Sequence, residues 1–248
     1  MNEELFRKAA DLITNSSKTV ALTGAGISTP SGIADFRSPG SGLWEKVDPM
    51  QVATIDAFMS DPKKFYDFMT PLSDMVEKAV PNPAHKVLCN WEKMGFLHSI
   101  ITQNIDNLHQ KAGSKNVIEL HGNGQRAYCV KCKTFFEPHE TRSRAEEGGG
   151  VPKCDCGGNI KPDVILFGEM LPLAALVQAE KDTETCEVMI IVGSSLTVTP
   201  ASMLPQIALA NGAKLIVVNI QETYVDSRAE VVIRDKVETA LPEIAERI

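Results

Sequence analysis

The chain has 248 residues, 43% of them apolar and 23% charged, enough for one large globular domain carrying a smaller insertion. Its formal charge of −7 argues against a nucleic-acid-binding surface, which needs clustered Lys and Arg, and favours basic partners such as lysine-rich protein segments. The longest aliphatic runs, Val188 to Val192 and Leu215 to Val218, are far too short to span a bilayer, so no membrane role is expected.

Residues Met1 to Asn15 read as an amphipathic helix bearing Glu3, Glu4 and Asp11, with no secretory signal, which places the protein in the cytoplasm. A buried strand, Thr19–Thr23, follows and runs directly into Gly24-Ala25-Gly26-Ile27-Ser28. A glycine-rich turn there lets backbone approach a pyrophosphate at a helix N-terminus. The pattern departs from the dinucleotide fingerprint, because Thr29 stands where a third glycine is needed and no acidic residue closes a second strand about 20 residues on. Hydride transfer is therefore the poorer reading. Residues 32–80 break the rhythm with loop and short helical patterns, including Pro39-Gly40-Ser41-Gly42 and two Asp-Pro pairs.

Helical spacing returns at Ala84–Met94 with Gly95 as its stop, and then come the strands Ser99–Thr102 and Val117–Leu120. After a second insertion, 122–162, a helix over Ala174–Thr183, a strand over Val188–Val192, a helix over Ser202–Ala210 stopped by Gly212, and a strand over Lys214–Asn219 complete the pattern. Alternating strands and helices, with strands apolar throughout, imply a doubly wound parallel α/β sheet of Rossmann-like type, both faces covered by helices. The expected division is 1–31, 81–121 and 163–248 for that domain, with 32–80 and 122–162 together forming the smaller one.

The second insertion holds Cys129-x-x-Cys132 and Cys154-x-Cys156, separated by 21 residues. Two such pairs can offer four thiolates tetrahedrally to Zn²⁺, a closed structural site with no open position for catalysis. In a reducing compartment this spacing points to metal before disulfide. Lys131, Lys133 and Lys153 lie beside the thiolates, while Cys89 and Cys186 read as core thiols.

The stretch Gly24-Ala-Gly-Ile-Ser-Thr-Pro-Ser-Gly-Ile-Ala-Asp-Phe-Arg37 resembles the signature of the sirtuin family, with Ala34 where Pro is frequent. Thr102-Gln-Asn-Ile-Asp-Asn-Leu-His109, Leu120-His-Gly122, Lys161-Pro-Asp-Val-Ile-Leu-Phe-Gly-Glu169, Gly193-Ser-Ser-Leu196 and Val218-Asn219 match in the family's order, with the four cysteines between the second and third of them. The resemblance implies NAD consumed as co-substrate in deacetylating a lysine side chain, giving nicotinamide, O-acetyl-ADP-ribose and free lysine. Acetyl-lysine proteins or peptides are then the partners.

The resemblance further implies a set of roles. His121 is the general base, a role suited to an imidazole, and Asn104 also belongs to the catalytic set. Asp106 holds the nicotinamide carboxamide, Gln103 and Asn104 position the ribose, and Ile105 lines the site. Gly24, Ala25, Gly26, Ser28, Thr29, Asp35, Phe36 and Arg37 form the glycine turn and cofactor loop, with Phe36 shielding the sugar from water. Gly193, Ser194, Ser195 and Asn219 take the adenosine half, and Val237 lines the adenine pocket. Val164, Ile165, Phe167, Gly168 and Glu169 form an edge that pairs with substrate by strand addition. Met69 and Leu72 fall where succinyl-preferring relatives carry a Tyr and an Arg, so a neutral acetyl group is preferred; Tyr66, Lys63 or Lys64 would rescue a carboxylate if the alignment slipped by a turn. Mono-ADP-ribosyl transfer and a non-enzymatic NAD-sensing module remain the alternatives. An intact His121 favours deacylation over both.

Overall fold

The computed structural model describes residues 2–36, 40, 42–45 and 47–248. The strands are β1 (Thr19–Thr23), β2 (Ser99–Thr102), β3 (Val117–Glu119), β4 (Gly122–Cys129), β5 (Phe135–Phe136), β6 (Ile160–Val164), β7 (Val188–Val192), β8 (Lys214–Val218) and β9 (Val231–Ile233). The α-helices are α1 (Asn2–Thr14), α2 (Pro49–Val52), α3 (Ile55–Ser60), α4 (Pro62–Lys78), α5 (Pro83–Met94), α6 (Leu108–Ala112), α7 (Pro138–Glu147), α8 (Leu173–Thr185), α9 (Leu204–Ala210) and α10 (Val237–Ala245).

Six strands form one parallel sheet in the order β3-β2-β1-β7-β8-β9. Its central strands are buried on both faces, every residue of β1, β2 and β7 included, which is why they read as unbroken aliphatic runs. One face packs against α1, α5 and α10 through Phe6, Ile13, Leu88, Trp91 and Leu241; the other packs against α8 and α9 through Ala179, Leu204 and Ala208. Local chemistry sets the helix ends. Asn82 accepts a hydrogen bond from the Ala84 amide and Pro83 opens α5, while Gly95 closes it in the left-handed conformation at φ 84°. Thr54 and Asp61 cap α3 and α4 in the same way.

A second, antiparallel sheet in the order β5-β4-β6 carries the four cysteines. Its strand β6 crosses the boundary expected at 162/163 by pairing Val164 with Gly122. Two further differences from the sequence reading have local causes. The helix expected over Ser202–Ala210 begins as a 3₁₀ turn over Ala201–Met203, because Pro205 can stand only in the first turn of α9. The last strand and helix, β9 and α10, were not read from the sequence: β9 has three residues, and Pro242 sits inside α10. Among the described residues no helix is long and apolar enough to cross a membrane.

Candidate active site

Strand order reverses between β1 and β7, and a ligand crevice is expected beyond the carboxyl ends of strands at such a point. Here the Gly24 turn meets Gly193: the Gly24 amide donates to Val192 O at 3.1 Å and the Gly26 amide to Gly193 O at 2.8 Å. A Cβ on Gly24 or Gly26 would lie 2.9 or 2.8 Å from the Gly193 carbonyl oxygen. These glycines are thus required by backbone meeting backbone, not only by room for a phosphate. The helix N-terminus expected after the turn is absent; two 3₁₀ turns, Ala25–Ile27 and Thr29–Ser31, take its place, so no full helix dipole points at the crevice.

Beneath the turn, buried Ser28 donates to Asp106 Oδ2 at 2.6 Å, and Asp106 Oδ1 accepts from the Leu108 amide at 2.9 Å. Asn104 Nδ2 donates to Ser28 Oγ at 3.1 Å and to Gly24 O at 3.2 Å, and Gln103 Nε2 donates to Ser194 Oγ at 2.9 Å. This network ties the ends of β1, β2 and β7 into one polar floor.

His121 stands two residues beyond β3, half-buried at the rim. Its Nδ1 lies 2.9 Å from Gln103 O. A carbonyl only accepts, so Nδ1 carries the proton and Nε2 carries the basic lone pair. Behind the floor lie two other histidines, His85 and His109, with ring centroids 4.9 Å apart. Burial lowers the His85 pKa to about 4 against the opposing pull of Asp106, and lowers that of His109 to about 3, helped by His85. Both stay neutral at physiological pH.

On the far side, Ser195 Oγ pairs with Thr197 Oγ1 at 3.1 Å, Asn219 Nδ2 donates to Gln221 O at 2.8 Å, and Val237 opens α10, buried. Above, Phe36 stacks on Trp44 at 5.0 Å and Trp44 on Phe68 at 5.7 Å, carrying this loop onto α4. Trp44 received no role in the sequence reading; its aromatic character in a glycine-rich loop was the available signal.

One cleft of about 480 Å³, within the range of small-molecule sites, brings these residues together. Gly24, Ala25, Gly26, Ser28, Thr29, Asp35, Phe36, Gln103, Asn104, Ile105, Asp106, His121, Val164, Ile165, Phe167, Gly168, Glu169, Gly193, Ser194, Ser195, Asn219 and Val237 all line it. Arg37 lies outside the described residues.

Along the expected peptide edge, part of the backbone is engaged within the chain. The Phe167 amide donates to Ala53 O at 2.9 Å and its carbonyl accepts from the Ile55 amide at 3.0 Å, so the Phe167 backbone is already paired. Glu169 turns inward, accepting from the Leu166 amide at 2.8 Å and pairing with buried Lys161 at 2.9 Å. Met69 and Leu72 line the cleft beside Phe65 and Ile105. The candidate rescuing groups point elsewhere: Tyr66 donates its hydroxyl to Ile160 O at 2.7 Å, Lys63 pairs with Asp67, and Lys64 with Gln51.

The sulfurs of Cys129, Cys132, Cys154 and Cys156 all lie within 4.8 Å of one another, with Cys129–Cys156 at 3.5 Å and Cys132–Cys154 at 3.6 Å. A tetrahedral Zn²⁺ with bonds near 2.3 Å requires sulfur–sulfur distances of about 3.8 Å, so the four thiols fit that ion. The Lys131 and Cys132 amides donate to Cys129 Sγ, as expected of a knuckle holding a thiolate. Gly158 is obligatory: a Cβ there would sit 2.6 Å from Cys129 Sγ. Cys89 and Cys186 are core thiols, the latter pushed up to about 11 by burial.

The sequence model of the Sir2 family matches residues 24–200. The chain is 48% identical over 244 residues to an NAD-dependent protein deacetylase of Saccharolobus solfataricus, covering 98% of this chain and 97% of that protein. It is 43% identical over 253 residues to an NAD-dependent protein deacylase 2 of Archaeoglobus fulgidus, covering 99% and 97%. Among solved structures, a Sir2 variant with deacetylated p53 peptide and 3′-O-acetyl-ADP-ribose superposes with a TM-score of 0.93 at 42% identity, covering 97% of each chain. A Sir2 complex with p53 peptide and NAD⁺ gives 0.88 at 42% identity over 96% of each.

Proposed function

This chain belongs to the Sir2 family and is an NAD-dependent protein-lysine deacetylase, and we propose that His121 is the general base of that reaction. The single observation that carries the proposal is the 2.9 Å contact of His121 Nδ1 with Gln103 O, which puts the proton on Nδ1 and the basic lone pair on Nε2 of a residue lining the cleft.

Bound NAD would supply an electrophilic ribose carbon and nicotinamide as leaving group; with one water consumed, the acetyl group passes to the ADP-ribose and lysine is freed. The residues of this chain bind and orient. Asp106, fixed by Ser28 and the Leu108 amide, presents a carboxylate edge to the nicotinamide carboxamide. Asn104 and Gln103 hold the ribose over the floor they help build, and the glycine turn with Thr29 and Ala25 borders the phosphates. Ser194, Ser195, Gly193 and Asn219 take the adenosine half, with Val237 against the adenine. Phe36, clamped by Trp44, excludes water from the sugar carbon, together with Asp35. His121 takes the ribose hydroxyl proton on Nε2. The acetyl-lysine peptide lies along Val164, Ile165 and Gly168 and against the Phe167 side chain, with its acyl group facing Met69 and Leu72.

The four cysteines hold a structural Zn²⁺ that orders the antiparallel sheet. We assign 1–31, 81–121 and 163–248 to the NAD-binding domain and the two insertions to the smaller one, supported by the segregation of parallel and antiparallel strands, which only the last two residues of β6 cross. A cytoplasmic location is part of the same reading, supported by six free thiols, four of them gathered for metal. Incubation with NAD and an acetylated peptide, followed by mass spectrometry, should yield O-acetyl-ADP-ribose. ADP-ribosylated protein, or no turnover of NAD, would refute the assignment.

A further inference from the structure

We propose that Lys161 is a positioning residue that shapes the peptide-binding edge, by an internal strut to Glu169 that closes the loop whose Ile165 amide bonds the His121 carbonyl. The proposal rests on the reading that residues 164–169 bind the substrate peptide. Lys161 has no exposed surface. A buried ammonium is tolerated only where its protons find acceptors, and this one has them. Nζ lies 2.9 Å from Glu169 Oε2 and 2.6 Å from Val164 O, with Pro162 O at 3.3 Å and the Tyr128 hydroxyl at 3.4 Å.

The arrangement of these partners is the argument. Val164 opens the peptide edge and Glu169 ends it, so one ammonium draws together both ends of the segment. Glu169 also accepts from the Leu166 amide at 2.8 Å, fixing the middle. The loop so closed turns its outer side to the cleft, where Ile165, Phe167 and Gly168 are exposed to ligand. Its Ile165 amide donates to His121 O at 2.9 Å, so the same loop braces the general base. On the other side the ammonium sits 5.2 Å from the ring centroid of Tyr128, the residue before the zinc ligand Cys129. The strut therefore links the cysteine-bearing sheet to the substrate edge. Stability alone gives little reason for it, since buried ion pairs are often no more stabilising than apolar residues of similar volume.

The test measures KM for an acetylated peptide and KM for NAD separately, with zinc content, in Lys161→Met, Glu169→Gln and Phe167→Ala. Glu169→Gln keeps the shape of the partner and is the decisive variant if Lys161→Met does not fold. We expect the peptide KM to rise on the order of tenfold or more in both strut variants, with the NAD KM within about twofold of wild type and one zinc retained. An unchanged peptide KM, or equal changes in both KM values, would overturn the strut. Phe167→Ala separates the two claims: a wild-type peptide KM there refutes the peptide edge itself, and the strut with it. A raised value in Phe167→Ala beside unchanged strut variants refutes the strut alone.

Discussion

The buried histidine pair makes the fold acid-labile in a pH range that can be named. Both ring nitrogens of His85 and the Nδ1 of His109 are buried without a hydrogen-bond partner among the described residues, while His109 Nε2 shares a hydrogen bond with Thr23 Oγ1 at 3.0 Å. Burial holds the folded-state pKa values at about 4 and about 3, against about 6.5 in the unfolded chain. Above about pH 6.5 both rings are neutral in both states, and the pair adds no pH dependence. As pH falls below that value the unfolded chain takes up two protons that the native state refuses, so stability is lost progressively down to the folded pKa values. At about pH 5 the loss is about 2 kcal/mol for each ring, or about 4 kcal/mol together, a large part of a typical domain's stability. Urea unfolding at intervals between about pH 7 and pH 5 measures it, with His85→Gln/His109→Gln as reference. The double variant should show a flatter dependence by the equivalent of nearly two protons, whatever its absolute stability. Parallel curves for the two proteins would show that the rings are not held neutral.

His121→Ala should lower deacetylation about 10²- to 10⁴-fold in steady-state assays while NAD affinity measured by calorimetry changes little. A folded His121→Ala protein with near-wild-type turnover would remove His121 from the mechanism. Metal analysis should find one Zn²⁺ per chain, and Cys129→Ala should lose both metal and structure in the antiparallel sheet, because such a site is worth on the order of 10 kcal/mol. Active, folded protein free of zinc would contradict this. Between matched acetylated and succinylated peptides, kcat/KM should favour acetyl by about 10²-fold, since a carboxylate beside Met69 and Leu72 lies unpaired at a cost of several kcal/mol. Equal rates would mean that another cation reaches the acyl pocket.

What the sequence made legible follows from which physical constraints are local. Strands β1, β2, β7 and β8 could be bounded to within a residue because burial on both faces leaves a continuous aliphatic signature with polar ends. β9 carries the same signature over only three residues and sinks into the loop around it. The cysteine pairs were legible because coordination geometry dictates short spacing within each knuckle. Gly24 and Gly26 were visible as a turn, but the need for them comes from Gly193, almost 170 residues away, and no local pattern encodes that contact. Lys161 is the extreme case. In the sequence it opens the motif that ends at Glu169 but carries no assigned role, and its chemistry exists only because the bend between Pro162 and Glu169 returns a carboxylate and a carbonyl to its ammonium. His85 and His109 meet for the same kind of reason: α5 and α6 pack together across the edge of the sheet, and two rings that look unremarkable apart become one buried pair. Residues whose function depends on closing a long loop are therefore those a sequence hides, and they are where the untested chemistry of this fold lies.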